Sequence, residues 1–114
     1  MFNSKIIGLG KYLPENIVTN ADLEQLMDTS DAWIQERTGI QERRHITKGD
    51  GNSTSVMGVK AARIAIERAG LEPKDIDFIL FATLSPDYYF PGSGVLVQEA
   101  LDIPNCPAMD IRMQ

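Results

Sequence analysis

Residues 53–83 read STSVMGVKAARIAIERAGLEPKDIDFILFAT, and the fold class turns on this stretch. Ser53 or Ser55 can cap a helix, the middle is rich in Ala, Ile and Val, and Gly70 stands where a left-handed residue would end it. The spacing predicts a helix over 53–69. Its small residues, Gly58, Ala61, Ala62, Ala65 and Ala69, suit close packing against a sheet or another helix. After the Glu72-Pro73 turn comes the segment 76–83, whose apolar run is unbroken from Phe78 to Ala82. Without alternation, that run reads as a strand covered on both faces.

Downstream, residues 85–94 form a loop holding Pro86, Tyr88, Tyr89, Phe90, Pro91 and two glycines. A helix over about 93–101 and a short strand over 108–111 follow. Upstream, the β-branched stretch 5–10, closed by Tyr12-Leu13-Pro14, predicts a first strand and a turn. Thr19 or Asn20 can cap a short helix carrying the apolar stripe Leu23, Leu26 and Met27. Ser30, Asp31 and Gly39 mark the start and end of a second helix. Residues 40–47 are polar and half-alternating, the pattern of an irregular or edge strand. The order β, α, α, β, α, β, α, β implies an α/β fold with a mainly parallel sheet.

Composition narrows the function classes. With 114 residues, a net charge of −5, 43% hydrophobic and 24% charged residues, the chain has the makings of a globular domain. No apolar run approaches the roughly 18–20 residues that span a bilayer, and the N-terminus lacks the pattern of a secretory signal. The expectation is a soluble, cytoplasmic chain with no membrane partner. One cysteine, Cys106, excludes an internal disulfide, and one histidine, His45, makes a zinc cage implausible, so no metal is expected. The acidic balance disfavours a nucleic-acid partner. Cys106 reads as a small buried hydrophobe and His45 as a surface or loop residue.

The stretch 28–39, DTSDAWIQERTG, carries the strongest chemical signal. On a helix, Trp33 and Arg37 stand at i and i+4 on one face. An indole can stack on a base, and a guanidinium fork can grip a phosphate. Thr29 and Thr38 flank the pair with hydroxyls, and Arg43, Arg44 and Lys48 add positive charge downstream. Spacing alone leaves a second reading open, with Trp33 as a core anchor and Arg37 as a solvated surface cation.

Three runs in order, KIIGLGKYLPENIVTNADLEQ, TSDAWIQERTGIQERR and ATLSPDYYFPGSGVLVQEALDIPNCPAMDI, strongly resemble the N-terminal part of β-ketoacyl-acyl-carrier-protein synthase III. That family initiates type II fatty-acid synthesis. The resemblance covers essentially the whole chain and implies the N-terminal half of a thiolase-like fold, a mainly parallel mixed sheet with helices on both faces. Residues 1–114 would form an incomplete half-domain, the C-terminal half being absent from this chain. The family's roles place Thr29, Trp33, Arg37 and Thr38 on the adenine and phosphate part of coenzyme A. They place Phe90 in a loop at a dimer interface, reaching the acyl pocket of the neighbouring subunit; a plain buried aromatic is the alternative for Phe90. No catalytic residue is implied within this sequence. The nucleophilic cysteine is expected directly after Gln114, and its His and Asn partners in the missing half. The resemblance implies acyl-CoA and malonyl-acyl carrier protein as substrates, a homodimer, and no metal or redox cofactor. A related condensing enzyme of secondary metabolism, or a non-catalytic fragment that binds CoA or dimerises, are the alternative functions.

Overall fold

The computed structural model describes residues 3–112. The expected position of the nucleophile, directly after Gln114, lies outside the described residues. By its internal packing the chain forms two compact units, Leu13–Asn52 and Met1–Tyr12 with Ser53–Gln114.

In the first unit, strand β1 (Asn16–Thr19) pairs antiparallel with β2 (Glu42–His45), in register from Asn16 opposite His45 to Thr19 opposite Glu42. Between them lie helix α1 (Asn20–Glu24) and helix α2 (Asp31–Thr38). Thr19 caps α1 with a reciprocal capping box to Asp22, which satisfies two N–H groups at a helix start. The helix stops before the expected apolar stripe is complete, so Leu26 and Met27 are exposed. The edge strand expected over 40–47 is β2. It carries His45 at an exposed position.

The second unit contains helix α3 (Thr54–Ala69), strand β3 (Ile79–Ala82), helix α4 (Ser93–Ala100) and strand β4 (Ala108–Ile111). Ser53 caps α3 through the Val56 amide, and Gly70 ends it at φ 68°, as the sequence predicts. β3 and β4 pair in parallel, with Ile79 opposite Ala108 and Ala82 opposite Ile111. Val97, Leu101, Ile103 and Cys106 form the buried core, joined by Val59, Ala62, Ile66, Ile76, Ile79 and Phe81. Cys106, 4% exposed, is the buried hydrophobe its position suggested.

Two expectations are corrected. The strand expected over 5–10 is not formed, because this stretch has no ladder partner among the described residues. It lies along α3 instead, so close that a Cβ on Gly8 would come within 2.9 Å of the Ala69 Cβ. One on Gly10 would come within 2.6 Å of the Ala65 amide. The small residues of α3 therefore receive an extended chain, held by Arg68 Nη1 donating to the Leu9 carbonyl at 3.0 Å. The run over 76–83 is also not covered on both faces. Ile79 and Phe81 point into the helices, while Phe78 and Leu80, on the alternate positions, are about half exposed.

Candidate nucleotide-binding site

Helix α2 is built from local chemistry. Ser30 Oγ accepts the Trp33 amide at 3.2 Å, and Gly39, at φ 70°, returns its N–H to the Gln35 carbonyl at 2.8 Å. Only two turns long, the helix depends on its ends and on one buried polar anchor. That anchor is Asn20, 1% exposed. Its Nδ2 donates to Asp31 Oδ1 at 2.7 Å and to the Ile40 carbonyl at 2.8 Å, while its Oδ1 accepts Arg43 Nη2 at 2.7 Å. Asn20 thus ties the start of α2 to the chain leaving it. The bonds from Asn20 and then Gln35 hold the Asp31 carboxyl below its ordinary value. A carboxylate there also complements the positive end of the helix.

On the outer face of α2, the Arg37 guanidinium lies 5.0 Å from the Trp33 ring centroid. Trp33 is 53% exposed, so within this chain it is not a core residue and indole surface is free for a flat ligand. A shallow groove of about 300 Å³ runs beside it, lined by Asp28, Thr29, Ser30 and Trp33. The structure therefore brings Thr29 and Trp33 to one groove and sets Arg37 over the indole. Thr38 is used differently. Its Oγ1 donates to the Ile34 carbonyl at 2.7 Å and accepts the Ile40 amide at 3.1 Å, so it secures the helix exit. The basic pair downstream is also committed. Arg43 reaches the Val18 carbonyl at 3.3 Å as well as Asn20, and Arg44 reaches the carbonyls of Pro14 at 3.3 Å and Glu15 at 3.2 Å.

Phe90 belongs to the other unit and is 91% exposed, at the tip of the loop between β3 and α4. Nothing within this chain buries it. The loop is pinned below its tip by Asp87, whose Oδ2 accepts the Ser55 amide at 2.8 Å and the Ser93 hydroxyl at 2.7 Å. In return the Asp87 amide donates to Ser93 Oγ at 3.0 Å. Burial pushes the Asp87 carboxyl up, but bonds from Ser53, Ser93 and Ser55 outweigh it and leave it below its ordinary value. Sequence reading missed Asn20, Asp87 and Ser93 as site-building residues. For Asn20 the sequence offers only its place as a candidate helix cap. Nothing local distinguishes Asp87. Among the described residues there is no group of three His, Cys, Asp or Glu side chains placed to hold a metal ion. No helix among them is long and apolar enough to cross a membrane.

No protein-family model matches the chain. Individual proteins do. The chain is 50% identical over 109 residues to a β-ketoacyl-[acyl-carrier-protein] synthase III of Bacillus anthracis, covering 96% of this chain and 34% of that protein. It is 52% identical over 106 residues to the synthase III of Geobacillus kaustophilus, covering 93% of this chain and 34% of the relative. Among solved structures, 3-oxoacyl-[acyl-carrier-protein] synthase III from Aquifex aeolicus superposes with a TM-score of 0.89 at 45% identity, over 96% of this chain and 34% of that one. The priming β-ketosynthase of the R1128 polyketide pathway superposes with a TM-score of 0.87 at 32% identity, over 94% of this chain and 31% of its own. The chain spans about a third of the length of the relatives it matches. Over nearly all of its own length, then, this chain is similar to proteins named β-ketoacyl-acyl-carrier-protein synthase III, and it shares their thiolase-like α/β fold.

Proposed function

We propose that this chain is part of an initiating condensing enzyme that joins an acyl group from acyl-CoA to malonyl-acyl carrier protein. The observation that carries this reading is the 50% identity over 109 residues to a synthase III. An exposed indole with a guanidinium over it, beside an open groove, supports it from the geometry. Trp33 stacks on the adenine, Arg37 grips a phosphate, Thr29 borders the same groove, and Thr38 holds the helix end beneath them. CoA is a substrate here, and the reaction calls for no metal or redox cofactor.

The chemistry is a double displacement. A cysteine directly after Gln114, activated by a helix N-terminus, attacks the thioester carbonyl and CoA leaves as thiol. Malonyl-acyl carrier protein then loses carbon dioxide, and the resulting enolate attacks the acyl-cysteine to give a β-ketoacyl thioester. His and Asn donors beyond this sequence stabilise the enolate oxygen. The enzyme works in the cytoplasm as a homodimer, with Phe90 shaping the acyl pocket of the neighbouring subunit. Residues 1–114 form the incomplete N-terminal half-domain of that enzyme.

The test is a condensation assay on the full-length protein with acetyl-CoA and malonyl-acyl carrier protein. Release of CoA thiol together with a β-ketoacyl carrier protein is expected, with ping-pong kinetics. No product from any acyl-CoA would sink the reading. A second reading, a condensing enzyme with a different acceptor, draws on the similarity to the R1128 priming ketosynthase. Product on another acceptor and none on acyl carrier protein would favour it.

A further inference from the structure

The end of β4 carries an arrangement of charge that lies outside the nucleotide site. Asp110 sends its carboxylate into space left by two glycines. A Cβ on Gly92 would lie 2.7 Å from Asp110 Oδ2, and one on Gly94 2.8 Å from Oδ1. The carboxylate accepts the amides of Ser93 at 2.8 Å and Gly94 at 2.7 Å, in the first turn of α4, where unpaired N–H groups favour an anion. Two residues on, Arg112 reaches the same loop from its other end. Its Nη2 donates to the Tyr89 carbonyl at 2.8 Å, its guanidinium lies 5.3 Å from the Tyr89 ring centroid, and it stands 3.9 Å from Asp110 Oδ2.

The loop is thus fastened on both sides of its tip, at Tyr89 by Arg112 and at Ser93 and Gly94 by Asp110. Between the fastenings stands Phe90, 91% exposed, beside Tyr89, 82% exposed. With so little packing of their own, these rings are placed by polar ties to the end of β4. A planar guanidinium holds a carbonyl and lays a flat face over a ring at once, and an ammonium, as a compact point charge, does so with less overlap.

We infer that Arg112, oriented by Asp110, is a positioning residue that sets the reach of Tyr89 and Phe90 and thereby selects the acyl group accepted. This rests on the reading of Phe90 as part of the acyl pocket. Fixing both rings admits a small acyl group and penalises a branched one; freeing them relaxes the choice.

The experiment compares the full-length protein with its Arg112→Ala and Arg112→Lys variants. It measures kcat/KM for acetyl-CoA and isobutyryl-CoA, affinity for free CoA, and hydrogen exchange across residues 84–92. Arg112→Ala is expected to shift the ratio of the two kcat/KM values about tenfold, the scale on which a pocket discriminates one or two methyl groups. Exchange across 84–92 should rise and CoA affinity should stay the same. Arg112→Lys should restore part of the ratio, and if the alanine variant does not fold, a smaller shift in the same direction carries the test. With an active wild type, an unchanged ratio overturns the inference and leaves the proposed function standing, whether or not exchange rises. If the wild type gives no product with any acyl-CoA, the proposed function falls and the inference falls with it.

Discussion

Trp33 and Arg37 are one turn apart on a helix of eight residues, and their chemistry can be tested one side chain at a time. Removing the indole in Trp33→Ala should weaken CoA binding by about 1–3 kcal/mol, the worth of a base stacked on an aromatic ring. Calorimetric titration of CoA into the full-length protein checks this, and undiminished affinity would take Trp33 out of the nucleotide site. Arg37→Lys should also weaken binding. A lysine keeps the charge but gives up both the flat face over Trp33 and the fork that meets a phosphate. Equal affinity in that variant would make Arg37 a solvated surface cation. Thr38 was legible as a neighbour of the pair but not in its use, since its hydroxyl is taken by Ile34 and Ile40 across a helix end. Bonds of that kind depend on the turn of the chain after Gly39, which spacing alone does not fix.

The elements most readable from sequence are those whose ends are set by local chemistry. Ser30 and Gly39 bound α2, and Ser53 and Gly70 bound α3, because a hydroxyl cap and a left-handed glycine act within four residues of themselves. The stretch 5–10 was not readable in this way. Its β-branched residues suit a strand, but a strand exists only with a partner, and this one meets α3 instead. Gly10→Ala forces a Cβ against the α3 backbone and should cost about 1–3 kcal/mol, the range for overpacking a tight contact. Thermal unfolding measures it, and an unchanged midpoint would show that α3 gives way. Ser93, fully buried, exchanges two hydrogen bonds with Asp87. Ser93→Ala should cost about 1–3 kcal/mol for the unpaired buried groups it leaves. The Asp87 carboxyl is held below its ordinary value, so its contribution to stability is present above about pH 4, where the unfolded carboxylate is ionised, and is lost as pH falls through the folded value. The difference in melting temperature between wild type and Asp87→Asn should therefore be largest near neutral pH and shrink in acid. A constant difference across pH would remove the charge from the explanation.

At the scale of the molecule, the alternation of helices and strands from α1 onward was legible from caps, ending glycines and apolar runs. The two-sided burial of residues 76–83 was not. In the structure α3 and α4 cover the Ile79 and Phe81 face, and Phe78, Leu80 and Met109 stand exposed on the alternate positions. A continuous apolar run says that both faces suit burial, but not which elements supply the cover. The chain spans about a third of its relatives, so much of any such cover would come from residues outside this sequence. The acylated residue offers the most direct test of the proposed function, since trypsin cuts after Lys74 and Arg112 and separates Cys106 from whatever follows Gln114. The measurement is to incubate the full-length protein with labelled acetyl-CoA alone, digest it, and find the labelled peptide. Label on the peptide that begins at Met113 is the expected result. Label on the 75–112 peptide that holds Cys106, or no label on the protein at all, would contradict the account.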